Sequence, residues 1–114
     1  MHELSIAMSI VEVAQEEAEQ RGVRIEAVHL RLGALSGVVR EALLASWEMA
    51  CFGTPLSQAR LLIEEVPVVI FCPVCKVERT LNTIQFFSCP ECGAPASQIV
   101  SGKEMEVFAL EVQS

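Results

Sequence analysis

The 114-residue chain has no aspartate, no tyrosine, one tryptophan and two histidines. Acid–base and nucleophilic catalysis draws on positioned His, Asp, Glu, Lys, Tyr or Cys side chains. No Ser/His/acid set, phosphate loop or carboxylate pair stands out, so the chain is not expected to be an enzyme. Basic residues are also scarce. Eight Lys and Arg face fifteen acidic residues, all Glu, for a net charge of −7. Nucleic-acid binders concentrate positive charge on one face, so that class is disfavoured. No Lys or Arg precedes Arg21, so the apolar stretch over residues 4–14 lacks the basic start of a signal peptide. It is also far shorter than the ~20 residues that span a bilayer. A cytoplasmic protein is expected, and in a reducing compartment paired CxxC motifs favour metal over disulfides.

With 52% hydrophobic residues, the chain has enough apolar mass for one small domain. A piece near forty residues would still need a staple. Residues 3–21 read as a helix: Leu4, Ala7, Met8, Val11, Ala14 and Ala18 recur at helical spacing, Ile6, Ile10 and Val13 widen the stripe, and Gly22 supplies a stop. Residues 25–32 alternate as a strand, with Val28, Leu30 and Leu32 on one face. A loop over residues 33–37 leads to a second helix carrying Val39, Leu43, Leu44, Trp47, Ala50 and Cys51, ended by Gly53 and Pro55. Residues 60–70 read as a strand with Pro67 at an edge or bulge, because proline cannot donate a ladder hydrogen bond. Residues 104–112 form a last strand, apolar on both faces as in a central or doubly covered strand.

Between these, residues 71–102 lose long apolar periodicity and gain four cysteines. The order predicts an α+β fold: two helices packed on a three-stranded mixed sheet, with an inserted four-cysteine module resembling a zinc ribbon. The expected boundaries are residues 1–69 plus 103–114 for the α/β domain and 70–102 for the module. No repeat beyond the two cysteine knuckles is visible.

The cysteine spacing is Cys72-Pro-Val-Cys75, then Cys89-Pro-Glu-Cys92-Gly93. Each CxxC forms a tight turn whose two thiolates point the same way, and Gly93 suits the positive φ that often follows. Two such turns supply four soft ligands for one tetrahedral zinc ion. Two disulfides, a rubredoxin-type iron site and a redox switch are the competing readings. Closed four-thiolate coordination leaves no open position for substrate, so the expected zinc is structural. Phe71, Leu81, Ile84, Phe86 and Phe87 are the expected small core around it. The module's charges, Lys76, Arg79, Glu78 and Glu91, sum to zero, and a four-thiolate zinc centre adds −2.

At the N-terminus stands Met1-His2-Glu3. A terminal histidine is usually solvated and idle. A bulky residue at position 2, however, normally keeps the initiator methionine in place. The Met1 amine, the His2 amide nitrogen and imidazole, and the Glu3 amide nitrogen can then surround one ion in fused small rings. Among divalent ions, Ni²⁺ and Cu²⁺ displace amide protons and accept square-planar nitrogen coordination.

Four segments together resemble the HypA/HybF nickel metallochaperones: Met1-His2-Glu3-Leu4-Ser5, residues 32–38 (Leu-Gly-Ala-Leu-Ser-Gly-Val), the paired CxxC, and residues 101–107 with 110–112. The resemblance spans essentially the whole chain. It implies a protein that binds Ni²⁺ as cargo at His2, with the Met1 amine, local backbone nitrogen and support from Glu3. It implies zinc on Cys72, Cys75, Cys89 and Cys92. The implied partners are a maturation GTPase of HypB type and the large subunit of a [NiFe]-hydrogenase, and for some members urease accessory proteins. A monomer or homodimer is expected, with no nucleic acid or membrane partner. The chain departs from the family pattern in lacking histidines beside the cysteines, and in carrying Arg40 where a proline often precedes Glu41. A zinc-ribbon module for protein or nucleic acid, with an inert terminus, is the alternative. His29 and Cys51 read as a sheet-face histidine and a buried thiol.

Overall fold

The computed structural model of the chain describes residues 2–82 and 87–114. In chain order the elements are α1 (Glu3–Arg21), β1 (Arg24–Gly33), α2 (Arg40–Cys51), β2 (Arg60–Val66), β3 (Val69–Cys72), β4 (Val77–Thr80), β5 (Gln98–Ser101) and β6 (Met105–Gln113). They form two three-stranded sheets, ordered β2-β1-β6 and β4-β3-β5. The chain divides into two compact units. The first comprises Met1–Arg31, Val38–Glu64 and Glu106–Ser114; the second comprises Leu32–Gly37 and Glu65–Met105.

In the first unit, α1 ends where Gly22 takes the left-handed conformation, φ 64°, and returns its N–H to the Ala18 carbonyl. Gly adopts that region without a Cβ penalty, so the helix stops there. Ala7, Ile10, Val11 and Ala14 form the buried stripe, with Ile6 and Ala18 packed beside it. Leu4, Met8 and Val13, expected in that stripe, are exposed. At 3.6 residues per turn they project to either side of the line through Ala7, Val11 and Ala14. Leu43, Trp47 and Cys51 of α2 meet α1 over Ile25, Val28 and Leu30 of β1 and Leu61 of β2. The buried Trp47 donates its indole N–H to the Ala59 carbonyl at 3.0 Å, so its one polar atom is satisfied inside the core. Val39 is exposed and caps α2 instead of lying within it. Arg40 is the first helical residue, the position where a proline fits because no N–H is needed there.

The single strand expected over residues 60–70 is two strands. β2 stops at Val66 and β3 starts at Val69, in different sheets. Pro67 lies between them, and its missing N–H makes it a natural break in a ladder. The last strand is also corrected. β6 is at a sheet edge, and only Leu110 within it is even half-buried. Of its other apolar residues, Phe108 has long neighbours: the Arg31 guanidinium stacks 4.0 Å from its ring centroid, and the His29 ring lies 5.8 Å from it.

The second unit contains three described strands of four residues each; β3 overlaps the end of the strand expected over residues 60–70, and sequence periodicity did not reveal β4 or β5. β3 pairs antiparallel with β4 and with β5. Among the described residues, the buried hydrophobics here are few: Leu32, Val68, Ile70, Cys72 and Cys89. Of the expected small core, Phe71 and Leu81 are half-buried and Phe87 is exposed, while Ile84 and Phe86 lie outside the described residues. Gly33 explains one fixed point of the sequence. Its N–H donates to the Glu104 carbonyl at 2.7 Å, and Leu35 donates to Gly102 at 2.6 Å. A Cβ on Gly33 would lie 2.1 Å from the Gly102 carbonyl oxygen, a collision with backbone that only glycine avoids.

Candidate metal centre

The two CxxC segments fold into matching knuckles. In the first, the Lys76 N–H donates to the Cys72 carbonyl at 2.8 Å; in the second, the Gly93 N–H donates to the Cys89 carbonyl at 2.8 Å. Both residues take positive φ, 58° at Lys76 and 77° at Gly93. Glycine meets this demand freely, whereas a residue with a Cβ sacrifices roughly 1–2 kcal/mol. The Gly93 signal was visible in sequence and the Lys76 conformation was not. β3 delivers Cys72 at its end, and β4 pairs back with Val77 opposite Cys72. The second knuckle is closed by Cys89 donating its N–H to the Ala94 carbonyl at 2.8 Å.

This geometry gathers the four sulfurs of Cys72, Cys75, Cys89 and Cys92 within 4.8 Å of one another. The Cys72–Cys92 sulfurs are 3.5 Å apart and the Cys75–Cys89 sulfurs 3.9 Å. A tetrahedron with zinc–sulfur bonds of ~2.3 Å has edges of about 3.8 Å, so the spacing fits a four-coordinate zinc ion. It does not fit disulfides, whose sulfurs are ~2.05 Å apart, and all five cysteines are free thiols. Backbone amides prepare the ligands. The Cys75 N–H points at the Cys72 sulfur at 3.3 Å and draws its thiol below the usual range. The Cys92 and Glu91 amides do the same for Cys89, lowering it to about 6 against the opposing effect of burial. Cys92 moves up to about 12: the Ala94 amide favours its thiolate, but the neighbouring Cys72 sulfur, burial and the sulfurs of Cys75 and Cys89 outweigh it. Four sulfurs this close can all be thiolates only around a cation. Zinc, which binds such a set as thiolate, supplies that charge.

Sequence reading missed the place of Arg79. Counted earlier only as one of four module charges, it is half-buried on β4 with its Nε shut off from solvent, and the nearby Cys75 and Cys89 sulfurs favour its charged form. No spacing rule announces that placement, because it depends on the β3–β4 register that sets Arg79 opposite Ile70.

At the N-terminus, His2 is exposed and is the N-cap residue of α1, with extended backbone (φ −92°, ψ 106°) and no side-chain capping bond. Glu3 opens the helix, and its Oε2 accepts from the Val39 N–H at 3.3 Å. That amide, followed by the residue's own, holds the Glu3 carboxyl below the ordinary carboxylate range. Met1 lies outside the described residues. His29 is partnered by Glu111, Nε2 to Oε2 2.7 Å, and Cys51 is buried with its thiol pushed up to about 11 by desolvation. Neither joins the sulfur cluster. Among the described residues no helix is long and apolar enough to cross a membrane.

The sequence profile described as "Hydrogenase/urease nickel incorporation, metallochaperone, hypA" matches residues 1–112. Hydrogenase maturation factor HypA of Chloroflexus aurantiacus is 57% identical over 112 residues, covering 97% of this chain and 98% of the relative. The protein of the same name from Roseiflexus sp. is 53% identical over 114 residues, covering 99% and 93%. The solution structure of the Ni metallochaperone HypA from Helicobacter pylori superposes with a TM-score of 0.65 at 24% identity, covering 98% of this chain and 97% of that one; at that identity the likeness speaks for the fold. A metallochaperone carries metal and does not turn over a substrate, which agrees with the poor supply of catalytic side chains. With its profile match over nearly the full length and its four-cysteine metal centre, the chain belongs to the HypA family of hydrogenase/urease nickel-incorporation metallochaperones.

Proposed function

We propose that this chain takes up Ni²⁺ at its N-terminus, through the His2 imidazole, the Met1 amine and backbone nitrogen including that of Glu3, and passes it on during hydrogenase maturation. The observation that carries this reading is the state of His2. It is exposed, and its imidazole is not spent on capping α1. The first N–H groups of a helix have no intrahelical acceptor, so the Glu3 amide is free of the ladder. The Glu3 carboxylate, engaged with Val39, would anchor the terminus at the start of α2 and limit fraying of the site. Deprotonated amide nitrogen with imidazole and amine is a donor set for nickel or copper, and not for zinc or magnesium.

In this reading nickel is cargo in the α/β part, residues 1–69 plus 103–114, and zinc is a permanent staple in residues 70–102. The recipient would be a [NiFe]-hydrogenase large subunit, assisted by a HypB-type GTPase, with urease accessory proteins as further recipients, all in the cytoplasm. A nearly preformed site with one side-chain ligand suits capture followed by release. The test is a Ni²⁺ titration of wild type and His2→Ala with zinc content followed in parallel. Loss of the nickel site in the variant at unchanged zinc is expected; equal nickel binding by both proteins would sink the assignment.

A further inference from the structure

A strand at the edge of a sheet presents a row of unpaired backbone N–H and C=O groups, and natural proteins blunt such edges with charge, proline or short length. The described sheets, β2-β1-β6 and β4-β3-β5, have four edges. β4 and β5 are four residues long, and β4 carries Glu78 and Arg79. β2 carries Arg60, Glu64 and Glu65 and runs into Pro67. β6 is different. It is nine residues long, without lysine, proline or glycine, and Met105, Val107, Phe108 and Val112 are exposed along it. Its two charges lean back over its own sheet, away from the free edge. Glu106 reaches Arg31 of β1 at 3.7 Å, and Glu111 reaches His29 of β1 at 2.7 Å and Arg60 of β2 at 3.8 Å. The open edge is therefore long, apolar and electrically quiet in a chain of net charge −7.

We infer that β6 pairs edge to edge with β6 of a second copy of this chain, antiparallel, with the two-fold axis passing through Ala109. An open edge is a template for another strand, and a two-fold contact between identical patches closes after two copies. Charge selects the register. With the axis at Ala109 all nine residues of β6 are paired: Glu106 stands opposite Val112, Glu111 opposite Val107, and Phe108 opposite Leu110. No like charges face each other, and an aromatic ring meets an aliphatic side chain on either side of the axis. Moving the axis to between Phe108 and Ala109 would set Glu106 opposite Glu111 twice, and like charges directly opposite destabilise a sheet. Two copies that each carry −7 repel one another in general, so this acidic chain meets itself best where its carboxylates are already engaged. The combined sheet has the order β2-β1-β6-β6-β1-β2, with the helix pairs of both copies on one side. A single strand pair is a small interface, so the expected dissociation constant is micromolar, about 1–100 µM.

The experiment uses the purified full-length protein. Sedimentation velocity from about 1 µM to about 1 mM should show monomer passing to dimer. Hydrogen exchange at the two ends of that range should show β6 amides gaining protection with concentration, while those of β2, the opposite edge of the sheet, do not change. Ala109 is exposed, so A109K and A109E probe the axis: each opposes like charges in its own dimer. Each variant alone should associate about fivefold more weakly than wild type, and an equimolar mixture should recover wild-type association through the mixed pair. Net charge does not explain that recovery, because the mixture has the same mean charge as wild type. If either variant fails to fold, judged by the fluorescence of Trp47, the exchange measurement on wild type decides. A wild type that stays monomeric over the whole range, or a dimer whose β6 amides gain no protection, overturns the inference. A dimer protected at β6, in which the mixture associates no better than the single variants, overturns the axis at Ala109.

Discussion

The two units of this molecule are held by different forces. In the first, thirteen buried residues from two helices, two strands and the loop between α2 and β2 form a continuous apolar cluster. In the second, the buried hydrophobic positions among the described residues are Leu32, Val68, Ile70 and two cysteines. A shared α-helical and sheet surface can be closed by apolar burial at about 25 cal/mol per Å². Strands of four residues cannot form such a surface, and a metal staple takes its place, as is usual where little core can be built. The difference teaches that the cysteines organise the second unit, and the first should be indifferent to them.

The largest expected effect breaks the comparison at the metal. Zinc binding to sites of this kind is worth roughly 10–16 kcal/mol in small peptides. Chelation, or Cys89→Ser, should therefore unfold the cysteine unit while leaving the helical unit folded. Trp47 is the chain's single tryptophan and belongs to the helical unit, so its fluorescence should stay near native while amide signals from residues 70–102 collapse. Loss of the native tryptophan emission in step with zinc would show one cooperative structure and end the distinction.

The converse substitution is Leu43→Ala. Leu43 is fully buried, and such truncations cost about 2–5 kcal/mol. The thermal midpoint read at Trp47 should fall, with zinc stoichiometry unchanged. Simultaneous loss of zinc in the folded variant at room temperature would contradict separate stabilisation.

The smallest effect sharpens the comparison through pH. Burial raises the Cys51 thiol to about 11 from a reference of 9.0. Its neutral form is the one the folded core accepts, so this contribution is full below pH 9 and declines as pH rises towards 11. The midpoint of the helical unit should drop over that window in wild type and less in Cys51→Ala, both compared at fixed zinc. Identical slopes would remove Cys51 as the cause.

Much of this was legible in sequence for reasons that can be named. Gly22 ended α1 as expected because the left-handed cap is a local demand. The four sulfurs converge because CxxC turns are local too, and two of them leave one arrangement that shares an ion. What sequence hid was non-local. Pro67 signalled a break, but not that the chain would change sheets there. The apolar residues of β6 suggested a covered strand, because periodicity cannot know that Arg31 and His29 will cover Phe108 from the neighbouring strand. The burial of the Arg79 Nε carried no signal, since it follows from strand register. The requirement at Gly33 was visible only as part of a motif; its physical cause, the Gly102 carbonyl 2.1 Å from the would-be Cβ, belongs to segments nearly seventy residues apart.

The interleaving of the two units also sets an order of events during synthesis. The last segment of the cysteine unit, Glu65–Met105, precedes Glu106–Ser114 of the helical unit in the chain. Every sulfur ligand therefore leaves the ribosome before β6, which is the third strand of the β2-β1-β6 sheet. A nascent chain reaching Met105 already has a complete set of zinc ligands, while β1 still presents one unpaired edge. Metal capture can thus come before closure of the larger sheet. The cell's zinc supply then acts on the growing chain, before the larger sheet has its third strand.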